Sequence, residues 1–460
     1  NTALLGAKMA LFDQDLEADV QEAVAVENDA DLLAAEFARF KELMDNGAYD
    51  EADSSAKRII ELAIRARGAD STDMARALTN LAIVQHRTGE YEAARQNYAS
   101  AIEIIEDVED RLNAALVNPL KGLAAAQLES GRPDLASMTY RRAVHVTHVN
   151  EGPHNLDQID LLESLAEVQL RMGELQAAID VQNRIYGLNV RAYEADTLEL
   201  IPALMRRAEW QHRAGFIFDE RATYRRAIRI IENKLGREDL ALVEPLLMLG
   251  KSFFYIDTSG TASLNQSTIS TGEIYFKRAL RIAAENPNST WDVIADATLA
   301  LGDFYMYEGS AQRAKPVYRN AWNLLSEPDE SGNKMKKRRA ALEQVVALKQ
   351  TPLPPYIGES NPVGIDDPTN PLFEGPVTMS YDISTRGRVT NLRLVETEPP
   401  EFEGMQKTAQ QELRRRVFRP RFQDAEPVTT TDQVLIHTFF YRQSDLDAAR
   451  AESGADAEAG

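Results

Sequence analysis

The chain contains no cysteine. That absence removes disulfide frameworks, thiol nucleophiles and cysteine-ligated zinc together; it suits an envelope compartment where stray thiols would oxidise, but many cytosolic proteins also lack cysteine. No apolar run approaches the ~18 residues that a membrane-spanning helix needs. Cationic residues are outnumbered, 51 Lys and Arg against 72 Asp and Glu, for a formal charge of −21 over 460 residues. Such a chain repels phosphate backbones and anionic lipid, which argues against nucleic acid and unassisted membrane binding. Catalytic signatures are missing too: there is no His-Glu-x-x-His, no phosphate-cradling glycine loop and no Gly-x-Ser-x-Gly elbow. His145, His148 and His154, with Glu151 near, read as a helix end bearing surface histidines rather than as a metal site. The chain is therefore read as a non-enzyme, with no cofactor and no metal.

What the chain does have is a period. Gly47, Gly89, Gly131, Gly173 and Gly215 are spaced by 42 residues each time. Three further columns share that spacing: Tyr98, Tyr140, Gln182 and Tyr224; Ala101, Ala143, Ile185 and Ala227; and Ala82, Ala124, Ala166, Ala208 and Gly250. Fixed-period self-similarity marks stacked supersecondary units. The register slips once, by ten residues between Tyr224 and Phe276, and returns with Gly302, Gly309, Ala314, Tyr318 and Ala321. The extra residues sit near Thr258–Ser267, a Ser/Thr/Gly/Asn-rich stretch that reads as a lengthened loop inside one unit. Seven helix pairs are expected over about residues 32–326. The small column lets helix backbones approach, the aromatic column fills the space beside it, and the glycine supplies a residue able to take positive φ. The fifth pair departs from the rule, with Glu220 in place of alanine and Arg207 in place of leucine, and is expected to pack loosely or carry a contact.

Small residue, then Gly-x-Tyr, then alanine, aromatic and alanine at these offsets resembles the tetratricopeptide repeat. The 42-residue length and Asn80-Leu81-Ala82 are similar to the kinesin-light-chain variety. The resemblance implies a mostly α fold, an α-solenoid whose first helices line a groove for peptides or partner proteins. The matching groove positions are Arg76, His86 and Arg87; Lys121 and Glu129; Glu163, Glu167 and Arg171; Glu209 and Arg213; Lys251 and Tyr255; and Asp303 and Tyr307. Their charges are mixed, so the cation-rich carboxylate clamp of chaperone-binding relatives is not reproduced.

After the solenoid, assigned to residues 32–350, the texture changes. Residues 351–376 carry seven prolines and read as a semi-rigid, poorly packed linker. Val377, Met379, Tyr381 and Ile383 then alternate, turn at Arg386-Gly387-Arg388, and return through Val389, Leu392 and Leu394 as a hairpin. Phe402–Val417 reads helical and Val434–Tyr441 is a last apolar strand. This strand-strand-helix-strand order over residues 377–443 resembles the carboxyl-terminal domain of the TonB family. Pro354-Pro355-Tyr356, Glu374-Gly375-Pro376-Val377, Gly387-Arg388-Val389, Phe418-Arg419-Pro420 and Pro427-Val428 carry the likeness. It implies a Gram-negative periplasmic or outer-membrane-associated protein. Its last strand, Val434, Leu435, Ile436, His437, Thr438, Phe439 and Phe440, would add to an extended segment of an outer-membrane transporter. The alternative is a structural subunit of a large envelope assembly in which this α+β module serves docking or dimerisation. The acidic ends, residues 1–31 and 444–460, are expected to be solvated or disordered, the first compatible with a capping helix. The opening Asn1, in place of Met, suggests that a preceding segment has been removed, by signal cleavage or otherwise.

Overall fold

Each glycine of the 42-residue column ends one helix and lets the chain turn into the next. In the computed structural model, which describes residues 29–255, 271–357 and 371–458, these glycines all lie at φ between +72° and +85°. The chain divides into two compact units, residues 1–203 and 204–460. The division falls inside a helix of the fifth pair and not at the proline-rich linker expected from composition.

Unit one contains four helix pairs: α1 (residues 29–45) with α2 (Tyr49–Arg67), α3 (Thr72–Arg87) with α4 (Tyr91–Val108), α5 (Val117–Glu129) with α6 (Pro133–Glu151), and α7 (Ile159–Arg171) with α8 (Leu175–Tyr193). The capping helix expected from the acidic amino end falls on residues that are mostly outside the described ones. Ala82, Ala124 and Ala166 are fully buried, as are Ala101 and Ala143 of the partner helices. Tyr98 and Tyr140 are buried beside them. No pair encloses its own apolar face, so the core is continuous from one pair to the next: Ile102 and Ile105 of α4 share a cluster with Leu116, Leu120 and Tyr140 of the following pair.

A further column was not singled out in the sequence. Ser71, Asn113 and Asn155, again 42 apart, each cap the turn into a first helix. Ser71 Oγ accepts from the Met74 N–H at 3.2 Å, Asn113 Oδ1 from Ala115 N–H at 2.9 Å and Asn155 Oδ1 from Asp157 N–H at 2.8 Å. These are short-range acceptors for donors that a helix start leaves unmet.

Unit two begins within α9 (Ile201–Arg213) and continues through α10 (Ile217–Leu235), α11 (Val243–Lys251), α12 (Thr271–Glu285), α13 (Trp291–Tyr307) and α14 (Ala311–Ser326). The register slip lies between α11 and α12, and the inserted Thr258–Ser267 stretch is outside the described residues. A short α15 (Asn333–Ala341) leads to β1 (Val346–Lys349). The module then runs β2 (Phe373–Ile383), β3 (Val389–Thr397), α16 (Glu403–Arg415), β4 (Val417–Arg419), β5 (Arg421–Gln423), β6 (Glu426–Val428), β7 (Thr430–Tyr441) and α17 (Gln443–Glu458). β3, β2 and β7 form an antiparallel sheet in that order, with β2 central. Val377, Met379, Tyr381 and Ile383 of β2 face Met405, Ala409 and Leu413 of α16 across the core, as their alternation predicts.

Two expectations are corrected. The solenoid was assigned to residue 350, yet β1 pairs antiparallel with β4 and so belongs to the module. The acidic tail expected to be disordered is helical: α17 starts where Asp445 reaches back to the Arg442 N–H at 2.7 Å, and it buries Leu446 in the module core. Charge composition hides this because one buried leucine, with the neighbouring Ala449, is enough to dock a helix.

Close approach in the seventh pair depends on Gly302. A Cβ there would stand 2.5 Å from Tyr318 Cε1, and the Tyr318 hydroxyl is tied to Asp303 Oδ1 at 2.7 Å, so the ring cannot swing aside. Gly302→Ala is expected to cost about 1–3 kcal/mol through overpacking. Gly187→Ala on α8, where a Cβ meets nothing within 4 Å, should instead be neutral or stabilising. Thermal melts of the two variants decide it; a Gly302→Ala protein as stable as Gly187→Ala removes the argument.

Candidate functional site

In unit one a cleft of about 810 Å³ opens between first helices. Thr72, Arg76, Thr79, Asn80, Ile83, His86 and Arg87 line it from α3, at the i, i+4, i+7, i+8 spacing of a single helix face. Asn118, Lys121, Gly122 and Ala125 face them from α5, and Phe37 of α1 stands at one end. Tyr98 forms part of the floor and is drawn against α5 because position 122 has no side chain; a Cβ there would lie 2.2 Å from its ring. Burial pushes the Tyr98 hydroxyl up to about 12.

The cleft's charges are loosely held. The Arg76 guanidinium lies 5.1 Å from the centre of the Phe37 ring and 3.6 Å from Asp73. Lys121 is 3.7 Å from Asp160, and Arg87 makes no ion pair with any described residue. His86 packs edge-on to Tyr91 at 5.2 Å. Desolvation holds the ring below the usual imidazole pKa, opposed by the nearby Glu129 carboxylate and by the Ala125 backbone.

Of the fourteen groove positions, the structure brings Arg76, His86, Arg87 and Lys121 into one cleft, while Glu129 of α5 is not among its lining residues. Glu163, Glu167 and Arg171 lie on α7 outside it, where Arg171 pairs with Glu167 at 3.5 Å. In unit two, Glu209 and Arg213 pair along α9 at 3.7 Å and Lys251 is exposed at the end of α11. The Tyr255 side chain lies outside the described residues. Phe37, Asn80, Tyr98, Asn118 and Gly122 were missed as site residues, although Asn80 was already noted as part of a repeat signature.

Asp303 and Tyr307 are not open groove residues. Arg419 of β4 grips Asp303 with both arms, Nε to Oδ1 at 2.8 Å and Nη2 to Oδ2 at 2.7 Å, and its Nη1 donates to the Ala341 carbonyl at 2.7 Å. Both partners are largely buried and Tyr318 donates to the same carboxylate. Desolvation opposes the charge on Arg419, but the carboxylate outweighs it and raises the pKa. Tyr307 stacks on Phe254 at 4.4 Å, its hydroxyl donates to the Phe254 carbonyl, and Lys349 covers its ring at 5.2 Å. The module thus occupies the face of the seventh pair that had been read as groove. Glu426 adds a more exposed anchor, with Lys315 at 2.6 Å and Arg319 beside it.

The strand edge is also partly occupied. The Ile357 N–H donates to the Phe440 carbonyl at 2.9 Å, and the Phe440 N–H to the Pro355 carbonyl at 2.7 Å. Tyr356 lies beside the Phe440 ring at 5.6 Å, and His437 Nε2 meets the Pro354 carbonyl at 3.0 Å. The prolines expected to form a poorly packed linker begin as a strap along β7. Leu435, His437 and Phe439 sit opposite Met379, Val377 and Gly375 of β2. Since Phe440 directs its backbone groups outward, so do Thr438, Ile436 and Val434 by the two-residue period. Val434 and Ile436 are exposed, at 57% and 66%. Among the described residues the edge left open is therefore Val434–Thr438, and it excludes Phe440.

Residues 43–107 match the tetratricopeptide repeat family model. That segment includes α2, α3 and α4, and so one wall of the cleft. No curated protein matches the chain. Among solved structures, the chain is similar to a Podosopora anserina putative kinesin light chain with nearly identical TPR-like repeats, at 12% identity and TM-score 0.40, covering 44% of this chain and 96% of that one. It is also similar to a tetratricopeptide repeat protein from Parabacteroides merdae, at 15% identity and TM-score 0.38, covering 66% and 97%. A third is the TPR2AB domain of yeast Sti1 in its pHSP90 complex, at 12% identity and TM-score 0.26, covering 67% and 96%. Among the described residues no helix is long and apolar enough to cross a membrane, and no group of three His, Asp or Glu stands close enough to hold a metal ion.

The fifth pair is not loose. Glu220 is buried at the position held by Ala94, Ala136, Ala178 and Ala314 in other pairs, and its Oε2 is 3.1 Å from His212 Nδ1. Desolvation raises the Glu220 pKa. A carboxyl with a raised folded-state pKa contributes stability below its unfolded pKa and loses it as pH rises through the folded one. Glu220→Ala is therefore expected to help more, or harm less, at pH 8 than at pH 5. Unfolding temperatures of the variant at the two pH values check the sign; a larger benefit at pH 5 contradicts it.

The buried Arg419–Asp303 pair makes a sharper demand. Arg419→Met or Asp303→Leu alone strands the other charge and should cost about 3–5 kcal/mol, whereas the double replacement should cost clearly less than the sum. Hydrogen exchange across α14 and β4 would report it, and additive effects would show that the two side chains act independently.

Proposed function

We propose that the chain is a non-enzymatic scaffold that holds partner proteins in the α3–α5 cleft. The observation that carries this is the open concave surface itself: one face each of two first helices, with polar side chains along its walls and Ile83, Tyr98 and Ile105 beneath. A peptide laid there finds apolar contact and hydrogen-bonding groups together, the usual composition of a binding groove. A solved structure to which this chain is similar, the TPR2AB domain of yeast Sti1, is of a complex with pHSP90.

A second contact surface is favoured by the open β7 edge. Val434, Ile436 and Thr438 present backbone groups unpaired among the described residues next to exposed apolar side chains, the arrangement to which an extended segment adds as a further strand. With the TonB resemblance, this supports a partner in the envelope, an outer-membrane transporter segment, and a periplasmic or outer-membrane-associated location. The alternative role of the module, docking within an assembly, draws on its attachment through Arg419 to the chain's own last helix pair.

Photo-crosslinking amino acids placed at Ile83, at Ile436 and at the exposed Met138 test both surfaces in the full chain within its source cells. Discrete adducts at Ile83, and a separate one at Ile436 with an outer-membrane protein, are expected, with none at Met138. Equal labelling at all three positions would sink the scaffold reading. Labelling of Ile436 by a second copy or by a fixed assembly would favour docking over transporter binding.

A further inference from the structure

We propose that the junction of the third and fourth helix pairs binds a small oxyanion, a phosphate or carboxylate group carried on a compact apolar body, at a site separate from the α3–α5 cleft. Three departures from the 42-residue repeat fall on this one place. On α8, Gly187 stands where the neighbouring pairs carry His145 and Arg229, and a Cβ there would meet nothing within 4 Å. At the start of the fourth pair, Gln158 replaces the leucine of the column Leu116, Leu200 and Leu242, and like them it is fully buried. In the third pair Arg142 makes an ion pair with Glu106, 36 residues before it, whereas the residue 36 before Arg184 is His148. Arg184 therefore has, among the described residues, no counterpart to that carboxylate.

The result is a recess of about 480 Å³, lined by Arg184, Gly187, Leu188 and Arg191 of α8 together with Pro153 and His154 of the preceding turn. The i, i+3, i+4, i+7 spacing puts the four α8 residues on one helix face. No carboxylate lines the recess, and Arg184, Arg191 and His154 make no ion pair with any described residue. Gln158 holds the Arg184 guanidinium in place: its Oε1 accepts from Arg184 Nη2, and its own Nε2 donates to the Gly152 carbonyl at 3.2 Å. The other guanidinium donors bond to no described residue, and a planar guanidinium can meet two oxygens of one anion at once. An arginine oriented in advance by a buried amide gives up less freedom when it binds. Leu188 and Pro153 add apolar wall, which favours an oxyanion on an apolar body over the free inorganic ion. The volume is that of a small-molecule site.

Isothermal titration calorimetry on the full chain tests this with phenyl phosphate, benzoate, inorganic phosphate and benzyl alcohol. At least one of the two aryl anions is expected to bind about tenfold or more tightly than both inorganic phosphate and benzyl alcohol, and the stronger of the two tells which oxyanion the site takes. Gly187→His, which restores the side chain of the third pair, should remove that binding without lowering the unfolding temperature, because glycine is the poorer helix former. Arg184→Gln should weaken it about tenfold or more. Gln158→Leu, which restores the leucine column, should weaken binding while the fold keeps its unfolding temperature, as befits a positioning residue. Arg171→Gln on α7 should change nothing. Binding that survives both Gly187→His and Arg184→Gln, or no binding of either aryl anion to the unaltered chain, would overturn the proposal. Inorganic phosphate bound as tightly as phenyl phosphate and benzoate would overturn it in favour of a general anion patch.

Discussion

A two-helix hairpin has two apolar faces and can bury only one of them against itself. That constraint shapes this molecule. Small residues at the Ala82 column and aromatics at the Tyr98 column bring the helices of a pair together, and the remaining face is buried by the next pair. The requirement ends only where something other than a helix pair covers the last face. In unit two that cover is the carboxyl-terminal module, which brings Phe422 edge-on to Tyr318 at 5.3 Å and sets Arg419 on Asp303. A buried cation is tolerable there because two carboxylate oxygens and the Ala341 carbonyl answer its donors.

The same stacking explains where binding surfaces survive. First helices carry their polar positions on the side away from the core, so the concave surface is made of residues that folding does not consume. In unit one those residues stay open and form the cleft. In unit two Asp303 and Tyr307 occupy equivalent positions, but the module and the Phe254 ring take them up. Equivalent positions in a repeat therefore differ in function according to what the chain itself places over them. Glu220 illustrates the converse: a position that the repeat reserves for alanine holds a carboxylate, and the structure accommodates it with His212 rather than by loosening.

Much of the local architecture was legible because it is periodic. Backbone sterics demand glycine at the helix junctions, close packing demands alanine or glycine under an aromatic ring, and a strand facing a helix demands alternation. Each requirement leaves a mark at fixed spacing. The Ser71, Asn113 and Asn155 column was equally periodic, but two different residue types, serine and asparagine, serve one capping role, so it does not stand out as identity. The helix α17 was hidden for another reason: its composition is that of a solvated tail, and only the placement of Leu446 against the module core makes it fold.

The sequence by itself determined the number and period of the helix pairs, the existence of a strand-rich module after them, and the residue types on the groove-facing helices. These follow from interactions among residues a few positions apart, or at a constant repeat distance. Only the tertiary structure decided which groove positions remain exposed and which part of the β7 edge is open. Those outcomes depend on contacts between Asp303 and Arg419, and between Pro355 and Phe440, whose separations in the chain follow no period. The charge of the cleft stands between the two cases. Its cations are visible in the sequence, but that Arg76, Arg87 and Lys121 converge without a lining carboxylate is a property of how α3 and α5 face each other.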